Sequence, residues 1–119
     1  MATYYKDLIV WQKAMLLAKL IYRVTQTFPH SEVYGLVSQM RRASVSIPSN
    51  IAEGQTRKTP TEFARFLSIS HGSLAELETQ MIIARDLDYV SQAQADEYTL
   101  LHDEVSKMLI ALKTKFSKN

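Results

Sequence analysis

The stretch from Asp7 to Phe28 reads DLIVWQKAMLLAKLIYRVTQTF, and its apolar residues recur at intervals of four, three, four, three and four. This spacing places side chains along one face of an α-helix, as in a coiled-coil seam. Pro29 ends the pattern because the residue before a proline is disfavoured in the α region. We therefore predict a first helix over residues 7–28. Its buried face comprises Val10, Ala14, Leu17, Ile21, Val24 and Phe28.

A second segment of the same periodicity follows Pro29. Ser31 is a residue type that caps helix N-termini, and Gly54 is a type that ends helices. Pro48 lies between them and lacks a backbone N–H, so we expect a kink near this residue. The sequence predicts a second helix over residues 31–55.

Two capping signals introduce the remaining helices. Thr59-Pro60-Thr61-Glu62 combines an N-cap threonine, a proline at the first helical position and a glutamate that completes a capping box. Ser91 and Gln94 form another capping box. Apolar residues then recur at the same three- and four-residue intervals, which predicts helices over residues 60–88 and 91–117.

The composition agrees with an all-α fold. A length of 119 residues is typical of one domain, which we place over residues 1–119. Three glycines and three prolines are too few for a turn-rich β domain, and 46% hydrophobic residues suffice for a core. Four helices joined by short loops favour an antiparallel up-down four-helix bundle.

Most catalytic and metal chemistry is absent from the sequence. The chain has no cysteine, which excludes disulfides, thiolate metal sites and cysteine nucleophiles. Di-metal bundles need Glu-x-x-His pairs, and no glutamate stands three residues before His30, His71 or His102. We expect no metal, no cofactor, no catalytic residue and no small-molecule substrate.

Arg65 and His71 offer one enzymatic alternative. An arginine, a short spacer and a histidine look like the motif of the HEPN ribonucleases, which are also helical bundles. In such an enzyme the histidine would act as acid or base on a 2′-hydroxyl and the arginine would hold the phosphate. The competing interpretation is a surface arginine and a hydrogen-bonded histidine, which arise easily in a chain with 14 basic residues.

The first and last helices carry more apolar residues than one core face needs. Trp11, Met15, Ala18 and Tyr22 form a second row at helical spacing beside the main one. Such a row is either a broad core face or a subunit interface. We expect a homo-oligomer, with an interface that includes Trp11, Met15, Tyr22, Leu109 and Phe116.

The second helix also carries a polar stripe, and its spacing leaves three interpretations open. It could be a recognition strip for phosphates, or a solvated face with a Glu53–Arg57 pair. It could also be a buried polar network across a subunit boundary. The network would comprise Gln39, Arg42, Asn50 and Glu53.

The small net charge of +2 conceals an uneven distribution. The first segment has four basic residues against one acidic, and the third has two basic against five acidic. Oppositely charged helices could pack against each other within the bundle. Alternatively, ring assembly could gather the basic helices into one positive surface that binds anions. The expected phosphate contacts are Lys13, Lys19, Arg23, Arg41, Arg42, Arg57 and Lys58.

The sequence also bears on location. No apolar run approaches the roughly 18 residues of a membrane span, and the N-terminus lacks the layout of a signal peptide. We expect a cytoplasmic protein with no membrane partner.

A set of short motifs spread from about Tyr5 to Phe116 resembles the bacterial four-helix-bundle proteins that are encoded by intervening sequences within large-subunit ribosomal RNA genes. The motifs are Asp7-Leu8, Val10-Trp11-Gln12-Lys13-Ala14, Ile21-Tyr22, Phe28-Pro29, Tyr34-Gly35-Leu36, Gln39, Arg41-Arg42-Ala43, Ser46-Ile47, Asn50-Ile51-Ala52-Glu53-Gly54, Glu62-Phe63, Phe66-Leu67, Gly72-Ser73 and Glu76-Leu77-Glu78-Thr79-Gln80.

The resemblance implies a four-helix bundle that assembles as a homopentameric barrel, without an established biochemical activity. The family is distantly similar to the accessory variability determinant of diversity-generating retroelements, a basic pentamer that binds nucleic acid and a reverse transcriptase. RNA or a nucleic-acid-processing protein is therefore an expected partner beside the chain itself. The alternative function is a purely structural or protein-interaction scaffold. His71 lies outside the family pattern, whereas Arg41, Arg42 and the Asn50–Gly54 motif belong to it.

Overall fold

The computed structural model of the chain describes residues 4–117, and all of its regular structure in that range is helical. Two short 3-10 turns, Tyr5–Asp7 and His30–Glu32, precede the first and second α-helices. The all-α class and the number of helices are as predicted. The helices are α1 (Ile9–Thr25), α2 (Leu36–Thr56), α3 (Pro60–Asp86) and α4 (Gln92–Ser117).

The first two helices are shorter than the periodicity predicts. Ser31 lies within the 3-10 turn and does not cap α2, so that prediction is wrong. The Glu32 carboxylate accepts the backbone N–H of Leu36 at 3.2 Å instead. A carboxylate is favoured at this position because the exposed N–H groups of a helix N-terminus carry partial positive charge.

The capping signals of α3 and α4 differ in how completely they form. The Thr59 hydroxyl accepts the Glu62 N–H at 3.2 Å, while the Glu62 side chain binds Arg65. Before α4 both halves of the capping box are present. Gln94 Oε1 accepts the Ser91 N–H at 3.0 Å, and the Ser91 hydroxyl accepts the Gln94 N–H at 3.2 Å.

One apolar core is shared by the four helices. Each helix packs against two others, α1 and α3 both contacting α2 and α4, and the molecule measures 46 × 24 × 21 Å. Helices of 26 or 27 residues are about 40 Å long at 1.5 Å per residue, so they account for the long dimension. The largest fully buried side chains include Phe63, Leu17, Ile21, Met40, Ile47, Leu67, Leu77 and Leu109.

Gly54 does not end α2, which continues to Thr56 and has Pro48 buried within it. A Cβ atom on Gly54 would lie 2.5 Å from the Cβ of Phe66 on α3. The glycine is therefore a point of close helix approach and not a helix terminator. The turn to α3 is made after Thr56, where Lys58 adopts a left-handed φ of 64°.

Candidate functional site

An open groove of about 540 Å³ runs between α1 and α2. The main apolar row of α1 faces the core, so the second row, from Trp11 to Tyr22, forms the α1 wall of the groove. Tyr5 closes one end, where its ring lies edge-on to that of Trp11 at a centroid distance of 5.5 Å. The remaining walls are formed by Met15, Ala18, Lys19, Tyr22 and Arg23 of α1 and by Val45, Pro48, Ser49 and Ala52 of α2.

The groove brings together three of the five residues that we assigned to a subunit interface. Trp11 and Met15 are half-buried, and Tyr22 keeps 43% of its surface exposed. Leu109 is fully buried in the core, so its assignment to an interface is wrong. Phe116 is half-buried against Phe63 between α3 and α4, with the ring centroids 5.0 Å apart.

Basic side chains border the groove on one side. We call Lys19, Arg23, Arg41 and Arg42 the basic rim. Lys19 and Arg23 line the groove itself, and the two arginines of α2 line a shallow depression that continues from it past Tyr22. Four of the seven predicted phosphate contacts thus follow one edge of the molecule.

The members of the basic rim differ in how they are held. Arg41 donates to the Thr25 hydroxyl at 2.9 Å and to the Tyr22 carbonyl at 3.4 Å, and its guanidinium lies 4.6 Å from the centre of the Tyr22 ring. Arg23 is 3.9 Å from Glu97 of α4. Within residues 4–117, neither Lys19 nor Arg42 has a carboxylate at ion-pair distance.

The other three predicted phosphate contacts lie elsewhere. Lys13 forms an ion pair of 3.0 Å with Glu104 and thereby joins α1 to α4. Arg57 is paired with Glu53 at 2.8 Å, and Lys58 occupies the turn after α2. These three residues are separate from the basic rim, so the seven cations do not form one surface on a single copy.

The polar stripe of α2 forms a different network from the predicted one. Asn50 donates to the carbonyl and the hydroxyl of Ser46 at 2.8 and 3.0 Å, and Ser46 is hydrogen-bonded to Ser73 of α3 at 2.8 Å. Gln39, Arg42 and Glu53 are exposed. Within one copy these three residues therefore form no buried network with Asn50, and the network across a subunit boundary stays a prediction.

Ser73 is a member of this network that the spacing of the polar stripe does not predict. A signal was available, because α3 places small polar residues on its buried face. Ser70 is fully buried, and its hydroxyl donates to the Ile47 carbonyl at 2.9 Å.

The C-terminal half of α3 and Leu87, the residue that follows it, present a second exposed apolar area. Ile82, Ile83 and Leu87 are each between 45% and 51% exposed. We call these three residues, with the exposed Glu78 and Asp86 beside them, the acidic patch. Glu78 contacts His102 at 3.4 Å, and Arg85 lies 4.0 Å from Asp86. Two carboxylates therefore border this apolar area, each with a basic side chain beside it, whereas the basic rim has four cations beside apolar surface.

Arg65 and His71 are held by separate partners. Arg65 donates two hydrogen bonds to Glu62, at 2.9 and 3.2 Å, and these bonds lower the pKa of the carboxyl. His71 Nδ1 lies 3.3 Å from Lys113 Nζ. Burial lowers the pKa of His71, with further contributions from the charges of Lys113 and His102.

Metal-ligand clusters and membrane-spanning helices are both absent from the described part of the chain. Between residues 4 and 117, no three histidine, aspartate or glutamate side chains are close enough to hold a metal ion. None of the helices in that range is long and apolar enough to cross a membrane.

Comparison with known proteins identifies a family. No curated protein matches the sequence of this chain. The model of a family described as 23S rRNA-intervening sequence protein matches residues 6–111, and the description names no enzymatic activity. This match spans α1, α2, α3 and most of α4, and it includes the basic rim, the acidic patch and all of the groove except Tyr5. The chain therefore belongs to the 23S rRNA-intervening sequence protein family.

Proposed function

We propose that the chain is a non-enzymatic homo-oligomer in which the groove of one copy receives the acidic patch of the next. The observation that carries this proposal is the groove, an apolar cleft of about 540 Å³ beside a basic rim. A contiguous apolar surface with a polar border is typical of interaction sites. The acidic patch offers exposed isoleucines for the groove and carboxylates for the cations, which is the complementarity that orients partners.

The two surfaces differ, so the proposed interface is heterologous. Repetition of a heterologous contact closes a ring or extends into a filament. The resemblance to homopentameric bundles favours a ring of five copies.

Within each copy the proposed bundle is antiparallel, and the order of contacts between α2 and α3 supports this arrangement. Ser46 meets Ser73, Ile47 meets Ser70, and Gly54 meets Phe66.

Complementation between two variants tests the heterologous contact. Val45→Glu places a charge in the groove, and Ile83→Asp places one in the acidic patch. Because both residues are more than 40% exposed, the fold should tolerate the changes. Each variant alone should be monomeric by size-exclusion chromatography with light scattering. An equimolar mixture should give a 1:1 dimer, since one copy retains the groove and the other retains the patch.

Val33→Glu is the matched control, because Val33 is 39% exposed and does not line the groove. It should leave the oligomer unchanged. A monomeric wild-type protein, or an unchanged oligomer in Val45→Glu, would contradict the proposal. A mixture that remains monomeric would exclude the pairing of these two surfaces.

RNA binding through the basic rim is a second candidate function. Lys19 and Arg42 lack carboxylate partners within residues 4–117, and the exposed ring of Tyr22 lies between α1 and α2 on the same edge. Cations that neutralise phosphates, with an aromatic ring on which bases stack, are the usual elements of single-strand binding.

Salt dependence tests this second function. Binding of a fluorescent single-stranded RNA should weaken steeply as salt rises, and Arg42→Gln should reduce the slope of log affinity against log salt by about 0.7. Lys107→Gln, an exposed lysine on α4, should leave the slope unchanged. Absence of binding at low salt would exclude the RNA function.

A further inference from the structure

A second pocket, of about 420 Å³, lies between the first turns of α3 and the last turns of α4. No residue of the groove, basic rim or acidic patch lines it. Its lining residues are Thr61, Ala64, Arg65, Ser68, Lys113, Thr114 and Ser117. Four of these seven side chains carry a hydroxyl, two are cationic and one is a methyl group.

The pocket therefore combines hydrogen-bond donors with positive charge, and the lining includes no carboxylate and no aromatic ring. Each hydroxyl can donate one hydrogen bond, and a lysine ammonium can donate three. The pocket can therefore surround an anion with donors. It offers no ring on which a nucleobase could stack.

Lys113 supplies positive charge that is not cancelled by a neighbour. Its only polar contact within the described residues is with His71, where Nζ lies 3.3 Å from Nδ1. A neutral imidazole accepts a hydrogen bond from the ammonium and fixes its position without removing its charge. The lowered pKa of His71 favours this neutral form.

Arg65 donates two hydrogen bonds to Glu62, which orients the guanidinium. Glu62 itself does not line the pocket. The arginine and the glutamate together carry no net charge, so Lys113 leaves the site with one positive charge. An anion with several acceptor oxygens would balance this charge and accept from the hydroxyls of Ser68 and Thr114, whereas the Ser117 hydroxyl already donates to the Thr114 carbonyl at 3.5 Å. Phosphate has that chemistry.

We propose that the pocket between α3 and α4 binds a phosphate group, with Lys113 as the charged contact and the hydroxyls of Ser68 and Thr114 as donors. The phosphate belongs to a free monoester or to the backbone of a nucleic acid, and both sources present the same oxygens. The site is independent of the oligomer interface, because its residues lie at the opposite end of α3 from the acidic patch.

Titration of the protein with inorganic phosphate, at pH 7.5 and constant ionic strength, tests the proposal. The backbone amide signals of Ser68 and Thr114 should shift in NMR spectra and saturate. Lys113→Met should weaken binding about tenfold or more, which is the effect of losing one charged hydrogen bond. Lys115→Met removes the same charge two residues away, outside the pocket, and should change the affinity less than about twofold.

Two further variants separate the loss of binding from damage to the fold. Thr114→Val removes an exposed hydroxyl without removing charge and should weaken phosphate binding several-fold. Lys113→Arg keeps the positive charge and should retain most of the affinity for phosphate. Unchanged binding in both Lys113→Met and Thr114→Val, or equal losses in Lys113→Met and Lys115→Met, would overturn the proposal.

Ribose 5-phosphate and a short RNA without terminal phosphates identify the source. Lys113-dependent binding of inorganic phosphate and ribose 5-phosphate supports a monoester site, and Lys113-dependent binding of the RNA supports a diester site. If none of the three probes shifts the Ser68 and Thr114 signals, the pocket is not a phosphate site. Because Lys113 is outside the basic rim, these results do not depend on the outcome for the oligomer.

Discussion

Gly54 faces Phe66 so closely that a Cβ atom on residue 54 would lie 2.5 Å from the Cβ of Phe66 and 3.2 Å from Cδ1 of Phe63. Phe63 and Phe66 are both buried on α3, and the Cβ of Phe66 cannot move without its helix. The absence of a side chain at position 54 therefore sets how closely α2 approaches α3.

Gly54→Ala should destabilise the protein despite the higher helix propensity of alanine. A methyl group here must push the two helices apart, and overpacking of this kind costs about 1–3 kcal/mol. Urea denaturation followed by circular dichroism should show a lower midpoint. A midpoint equal to or above that of the wild type would mean that α2 and α3 adjust without strain.

Gly72→Ala is the matched control within α3. A Cβ on Gly72 would meet nothing within 4 Å, so the substitution adds no overlap. Alanine is favoured over glycine inside a helix by about 0.5–1 kcal/mol. The same denaturation experiment should therefore show a higher midpoint. Opposite signs for the two glycines would establish that position 54 acts through packing.

Local rules predicted much of the fold from the sequence, because helical periodicity and caps depend on residues three or four apart. Thr59 and Ser91 were identified in this way, and both accept the expected N–H. The predicted start of α2 is wrong because Ser31 and Glu32 are adjacent and either side chain could accept an N–H at the helix N-terminus. A 3-10 turn forms after Pro29, and in the structure Glu32 is the residue that accepts the Leu36 N–H.

Contacts between helices were less accessible to sequence analysis. The broad apolar stripe of α4 does not reveal which of its residues face the core, and Leu109, predicted at an interface, is buried in the core. The groove is lined by Tyr22 of α1 and Val45 of α2, which are 23 positions apart in the sequence. The bond between Ser46 and Ser73 likewise joins residues 27 positions apart. Spacing along one helix contains no information about such pairs.

Arg41 and Arg42 are neighbours in sequence, but only Arg41 should contribute to stability. Arg41 joins α2 to α1 through the Thr25 hydroxyl, the Tyr22 carbonyl and the Tyr22 ring. Arg41→Gln should lower the free energy of unfolding by about 1–2 kcal/mol, because it removes a charge-assisted hydrogen bond and a cation–π contact.

Arg42→Gln makes the same change on an exposed side chain and should leave the free energy of unfolding within about 0.5 kcal/mol of the wild type. Thermal and urea denaturation of the two variants, at matched ionic strength, would compare them directly. Equal losses of stability would show that Arg41 does not act as a link between α1 and α2.

The capping box of α4 should make Ser91 more sensitive to substitution than its exposure suggests. Ser91→Ala leaves the Gln94 N–H without its acceptor and should destabilise the protein by about 1 kcal/mol. Ser91→Asp keeps an acceptor at the N-cap and should retain most of the stability. Similar losses in both variants, measured by denaturation, would indicate that the hydroxyl does not act as a cap.

His71 should make the stability of the protein depend on pH. Burial lowers the pKa of its imidazole in the folded state below the usual value of 6.5, and the Lys113 ammonium contributes to this effect. The unfolded chain therefore binds more protons than the folded protein as pH falls through 6.5. This difference in proton binding reduces the stability of the folded protein. The loss of stability is absent well above pH 6.5, grows as pH falls through 6.5, and becomes constant below the pKa of His71 in the folded state.

His71→Gln removes this titration while keeping a side chain that can accept a hydrogen bond from Lys113. Between about pH 7 and pH 5, the wild type should lose stability more steeply than the variant. Lys113→Met should raise the pKa of His71, because the repelling charge is removed, and NMR titration of the imidazole would measure the change. Parallel stability curves for the wild type and His71→Gln would show that protonation of His71 does not oppose folding.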